Sequence, residues 1–144
     1  GRLAIALFQA GYIVLVSTVA FGVNWGDPLG ATAVIVLFSI VAAAAAMVVG
    51  SVFSNDSQAS GAGVGIGLGA AALGGSMVPI ELYPDTVARV ALITPHAWAN
   101  EAMAELVRRD GTIVDILPEL GVLAAFAAGL LALGSWSLRR ALIH

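Results

Sequence analysis

Lysine and cysteine are both missing from this chain, and charge of either sign is scarce: six basic residues and nine acids in 144, or 10% charged. Without cysteine there is no disulfide framework, no thiolate nucleophile and no sulfur-ligated metal. Without lysine the G-x-x-x-x-G-K-[ST] phosphate loop cannot be written, so the chain by itself is not expected to hydrolyse ATP or bind a nucleotide cofactor. All basic residues are arginine, the net charge is −3 and no basic run occurs, which sets nucleic acid aside as a partner. The two histidines, His96 and His144, lack partners at metal-ligand spacing, so neither a zinc nor a haem site is expected.

What is present is apolar. Hydrophobic residues make up 60% of the chain and the mean hydropathy is +0.98. A water-soluble domain carries about 25% charged residues, so the class is an all-α membrane protein with lipid as its solvent. About 20 apolar residues in a helix cross a bilayer, and four stretches reach that length: roughly 3–23, 29–53, 59–80 and 120–138. Asn24-Trp25-Gly26-Asp27-Pro28 reads as a tight loop between the first two, with the Trp25 indole at headgroup level. Ser54-Asn55-Asp56-Ser57-Gln58 is a short polar loop able to cap the third. Gly1 enters an apolar stretch directly, without a starting methionine, and reads as the continuation of a longer chain.

The third stretch is dense in glycine, with Gly61, Gly65 and Gly69 on one i, i+4 row and Gly63 and Gly67 on a neighbouring one. Such rows let another helix approach backbone to backbone, or let the helix shift against its neighbours. Gly67-Leu68-Gly69-Ala70-Ala71-Ala72 has the form of a relaxed dinucleotide fingerprint but lacks the preceding strand that gives the motif meaning.

After Leu73 the character changes. Gly74 and Gly75 close the apolar helix, Met77 follows, and Pro79, Pro84 and Pro95 stand at loop positions, with Trp98 just beyond the last. Glycine tolerates the backbone shapes of a break, and each proline removes a donor and restricts its predecessor. From Glu81 to Glu119 seven acids and three arginines lie among apolar residues at helical spacing. Asp85 is expected to cap a short helix through Ile93, and Thr94 a second with Pro95 in its first turn. In that second helix Trp98, Ala102, Met103, Leu106 and Val107 form one face and Glu101, Glu105, Arg108 and Arg109 the other. The expectation is a re-entrant or amphipathic helical hairpin over roughly 85–110, before the last span, with the shape of a gate; an ordinary connector resting on lipid is the plainer reading.

No acid, base or histidine falls inside the four stretches, so a proton relay or an intramembrane enzyme has no residues to work with. Gln9 and Tyr12 share a face of the first span, where the amide serves helix–helix hydrogen bonding or lines a cavity. Even span parity puts both ends on one side, and Arg2, Arg139 and Arg140 favour the cytoplasm there. Arg89, Arg108 and Arg109 match them in number, so arginine counting leaves orientation open.

The glycine pair, the Pro79 and Pro84 spacing, the short helix, Thr94-Pro95-His96-Ala97-Trp98 and a last span ending in arginines resemble the C-terminal half of ABC-2 type permeases, the membrane subunits of ABC exporters. The similarity runs over nearly the whole chain, and Gly74 to about Leu106 is its specific part. It implies that the four spans are the last four of six and that Gly1 follows a cytoplasmic coupling region. It also implies that Glu81 to Asp115 is an extracytoplasmic re-entrant gate. Two permease halves would enclose a pathway, driven by ATP at a partner ATPase subunit or domain, in a bacterial inner (cell) membrane. The first two spans and the coupling helix of that pattern have no counterpart here.

The leading expectation is thus a multi-pass permease exporting a hydrophobic or amphipathic substrate by alternating access, and not an enzyme. Leu68, Leu73 and Met77 would line and plug the path, with Gln9 and Tyr12 as further lining. The alternative is a non-transporting membrane assembly module whose glycine rows and gate-like helices dock a partner.

Overall fold

The computed structural model describes residues 1–143, without the side chains of Arg2 and residues 140–143. The arginine pattern at Arg2 and Arg140 and the terminal His144 therefore lie outside what is described. Among the described residues the chain is helical throughout, with no strand: α1 (Arg2–Phe21), α2 (Pro28–Val52), α3 (Asp56–Leu73), a 3-10 turn (Ile80–Leu82), α4 (Asp85–Ala91), α5 (Pro95–Arg108) and α6 (Leu117–Ile143).

Each boundary has a local cause. Gly22, in the left-handed region at φ +64°, ends α1, and its N–H bonds the Thr18 carbonyl. Asp27 caps α2 by accepting from the Gly30 N–H at 3.0 Å, with Pro28 in the first turn where its missing donor costs nothing. Asn55 caps α3, so that helix begins at Asp56 instead of near Ala59. It stops at Leu73, short of the expected Ile80, in a Schellman turn: Ser76 N–H bonds Ala71 O at 2.9 Å and Gly75, at φ +87°, bonds Ala72 O.

Three helices are long and apolar enough to cross a membrane, over Leu3–Phe21, Pro28–Val52 and Leu117–Arg139. The third of the four expected spans is not among them. Its 18 residues reach about 27 Å at the usual rise, and Asp56, Ser57, Gln58 and the glycines dilute its hydropathy. It nevertheless packs within the bundle, starting where α2 ends and finishing beside the first turn of α5.

The tightest pairing is α2 with α6, where small side chains let the backbones approach. Gly134 of α6 sits where any Cβ would strike the end of Met47, and the Ser51 and Ser137 hydroxyls are hydrogen-bonded at 2.9 Å. At the opposite end the best-buried cluster gathers Ala31 and Val34 of α2, Ala102 and Leu106 of α5, Ile116, and Leu123 of α6. The loop between α1 and α2 and the segment before α6 meet at this end, so the starts of α2 and α6 lie together. α1 rests on α2 and leaves Phe8, Leu15, Val19 and Phe21 exposed, a surface suited to lipid or to another span.

Candidate functional site

The residues expected to form a gate converge on one corner, where the end of α3 meets the start of α5. Thr94 caps α5, accepting from the Ala97 N–H at 3.3 Å while donating to the Ala91 carbonyl at 2.8 Å. Pro95 occupies the first turn as its sequence position implies. Asp85 behaves otherwise than expected: it is the first residue inside α4, Pro84 takes the cap position without a side-chain bond, and the helix ends at Ala91 instead of Ile93. With proline there, no side-chain acceptor is placed to cap, and the turn Leu92–Ile93 bends the chain into α5.

The two glycines have different reasons to be glycine. A Cβ on Gly74 would lie 2.5 Å from His96 Cβ, 2.6 Å from Thr94 Oγ1 and 2.8 Å from the Ala97 nitrogen, so close approach of α5 forbids it. Gly75 is required by its positive φ. Asn100, one turn into α5, donates through Nδ2 to the Gly74 carbonyl at 2.8 Å and to Ser76 Oγ at 3.0 Å. That amide satisfies a carbonyl that the helix end leaves open. Tyr83 adds a hydroxyl bond to the Ala72 carbonyl at 2.5 Å. The Trp98 indole donates to Leu92 O at 2.8 Å and closes the α4–α5 turn. Pro79 precedes the 3-10 turn, and Met77 projects exposed from the loop after the break.

The proposed path residues are not brought together within this chain. Gln9 and Tyr12 lie on the exposed surface of α1, Leu68 is exposed on α3, and Leu73 is half-buried. A Cβ built on Gly61, Gly63, Gly65, Gly67 or Gly69 meets nothing within 4 Å, so among the described residues nothing packs closely on the glycine rows.

Two grooves flank the corner. One, about 270 Å³, is mostly apolar and runs between Ile13 and Val14 of α1, Val34 and Phe38 of α2, and His96 and Met103 of α5. The other, about 230 Å³, opens beside Trp25, Pro79, Ile80, Glu81, Glu101 and Arg108. Arg109 bonds Glu105 at 2.6 Å and Glu101 at 2.8 Å, which raises its already high pKa, while Arg108 pairs with Glu81 at 3.4 Å. Burial holds the His96 imidazole below its ordinary pKa, and bonds from the Thr112 N–H and hydroxyl hold Asp115 below the usual carboxylate range.

Sequence reasoning missed Asp27 and its neighbours. The carboxylate that caps α2 also accepts from the Ile113 N–H at 2.9 Å, joining two loops 86 residues apart. Gly26, at φ +76°, lies against the Leu106 carbonyl, and Gly30 against the Leu106 side chain. Asp-Pro after Gly announces a helix cap in any sequence, but its second acceptor bond has no local signal. Asn100 and Tyr83 were missed for the same reason, since their partners lie on other elements. No group of histidine, cysteine, aspartate and glutamate able to hold a metal ion occurs among the described residues.

Comparison with known proteins gives a family and a relative. A family model described as "ABC-2 family transporter protein" matches residues 1–136. The chain is also similar to the linearmycin resistance permease protein LnrN of Bacillus subtilis (strain 168), at 27% identity over 135 residues, 94% of this chain and 35% of that protein. It therefore spans about a third of the length of the curated relative it matches. No solved structure matches.

Proposed function

The chain belongs to the ABC-2 transporter family, and from that premise we propose that it is part of the membrane pathway of an ATP-driven exporter for a hydrophobic or amphipathic substrate. The observation that carries this reading is the corner at Gly74–Gly75, where the end of α3 is held against α5 by close approach at Gly74 and by the Asn100 amide, contacts that rotation or separation of the helices would break. In this reading α3 lines the pathway through Leu68 and Leu73, with Met77 at its outer end, and α4–α5 form the outer gate. Gln9 and Tyr12 on α1 supply polar contacts to a neighbouring span or to the pathway. Alternating access is the working cycle, a partner ATPase supplies the energy, and a second permease half completes the path in a bacterial cell membrane. The curated relative is named for linearmycin resistance, which makes linearmycin the first substrate to try.

The test is ATP-dependent uptake into inverted vesicles carrying this chain within its permease, together with the cognate ATPase. Uptake of linearmycin or of a hydrophobic dye that stops with an ATPase-dead partner is expected. Uptake that persists without ATP turnover overturns the reading. Valine at both Gly74 and Gly75 is expected to abolish uptake while Ala72→Val leaves it, at equal amounts of inserted and assembled protein.

The uncovered glycine rows favour a second reading, a membrane assembly module that docks a partner helix without transporting. Under that reading Gly65→Val weakens co-purification of the partner, and no condition produces ATP-dependent uptake.

A further inference from the structure

His96 is placed where a neutral imidazole fits better than a charged one. Its ring meets Phe38 of α2 edge-on at 4.9 Å with the planes 77° apart. Its Cβ closes on Gly74 at the end of α3, and it stands second in α5, at the positive end of the helix dipole, where a cation is unfavourable. Its Nδ1 is shut off from solvent and has no hydrogen-bond partner. A neutral ring with its proton on Nε2 leaves only a lone pair there. An imidazolium carries N–H on both nitrogens, and the Nδ1–H would then be a buried donor without an acceptor.

The groups that line the groove beside the ring carry no compensating charge. Phe38, Val34 and Ile35 come from α2, Ile13 and Val14 from α1, Gly74 and Ser76 from the end of α3, and Asn100 from α5 itself. None of them is charged or titrates near neutrality. Burial is the cause of the lowered pKa.

We propose that His96 is a proton-operated latch: neutral, it holds α5 against α2 and the end of α3, and protonated, it withdraws and lets that corner loosen. The sign follows from the direction of the shift. The folded value lies below the unfolded one, so the latch contributes its full stabilisation above about pH 6.5 and loses it as the pH falls from there through the depressed folded value. The groove beside the ring gives it room to move. The latch concerns the packing of this corner and holds whether or not the corner gates a transport pathway.

The experiment uses the chain in lipid nanodiscs with His144→Gln, which leaves His96 as its single histidine. The absence of cysteine allows a clean spin-label pair at Val36→Cys and Leu92→Cys, both surface positions. The His96 titration is followed by NMR of the ring carbon, and the label distance is read across pH 7.5 to 5.0. Expected are a His96 midpoint below 6.5, one distance at pH 7.5, and a longer population that grows with the same midpoint. His96→Gln should keep the single distance at every pH. A His96 midpoint at or above 6.5, a distance unchanged at pH 5.0, or the same pH response in His96→Gln overturns the proposal. If His96→Gln does not fold, the match between titration and distance in the histidine-bearing chain decides.

Discussion

Replacing Gly74 with alanine tests the corner most directly. The added methyl meets His96 Cβ, the capping Thr94 hydroxyl and the backbone nitrogen of Ala97, all within 2.8 Å. His96 Cβ and the Ala97 nitrogen move only with the α5 backbone, and the Thr94 hydroxyl turns away only by giving up its cap, so α3 and α5 must part. Overpacking of this kind costs about 1–3 kcal/mol. Separation also stretches the Asn100 bond to the Gly74 carbonyl, roughly another 1 kcal/mol, giving about 2–4 kcal/mol together. Gly75→Ala differs in mechanism. It places a Cβ at φ +87°, 2.6 Å from the Ile80 side chain, and since that side chain can turn, the backbone term of about 1–2 kcal/mol dominates. Gly67→Ala on α3 meets open space, and removing a mid-helix glycine should stabilise by up to about 1 kcal/mol. Unfolding of each variant in detergent, followed by tryptophan fluorescence, should therefore rank Gly67→Ala above the native chain, then Gly75→Ala, then Gly74→Ala. A Gly74→Ala protein as stable as Gly67→Ala would refute the close approach of α5.

Asp27→Ala should destabilise by about 1–3 kcal/mol in the same assay, because it removes a helix cap and leaves the Ile113 N–H unpaired; Asp27→Asn, which keeps one acceptor oxygen, should lose less. Arg109→Gln should leave the midpoint unchanged, since its pairs with Glu101 and Glu105 are exposed; a large loss would mean those pairs are covered by a partner. The Asp115 carboxylate, held low chiefly by the Thr112 N–H, should protect that amide from hydrogen exchange above the ordinary carboxylate range, near pH 4, and release it as the pH falls through its depressed value. Protection unchanged in Asp115→Ala would contradict this. For topology, an impermeant thiol reagent on intact cells should label Val114→Cys and spare Ser54→Cys, because these positions sit at opposite ends of the bundle; the reverse pattern would invert the orientation.

Much of this architecture is written in local sequence. Membrane class follows from composition. Helix ends follow from Gly22, Asp27-Pro28, Asn55, Gly74-Gly75 and Thr94-Pro95, whose chemistry acts within four residues. The glycine pair and Thr94-Pro95, read as breaks in the sequence, meet at one corner of the structure. What the sequence did not disclose is which distant groups complete that corner. Asn100 finds the Gly74 carbonyl 26 residues away, Asp27 finds Ile113, and Leu106 fills the space left by Gly26 and Gly30. Ala59–Ile80 read as one apolar run because hydropathy counts side chains and is blind to where a backbone must turn. The glycine rows read as packing surfaces, yet among the described residues nothing packs closely on them, since periodicity marks a face and says nothing of what covers it. Capping and periodicity are short-range, and one chain determines them. A buried carbonyl, an orphan ring nitrogen or a forbidden Cβ exists only once two elements have met, so the tertiary structure alone decided them.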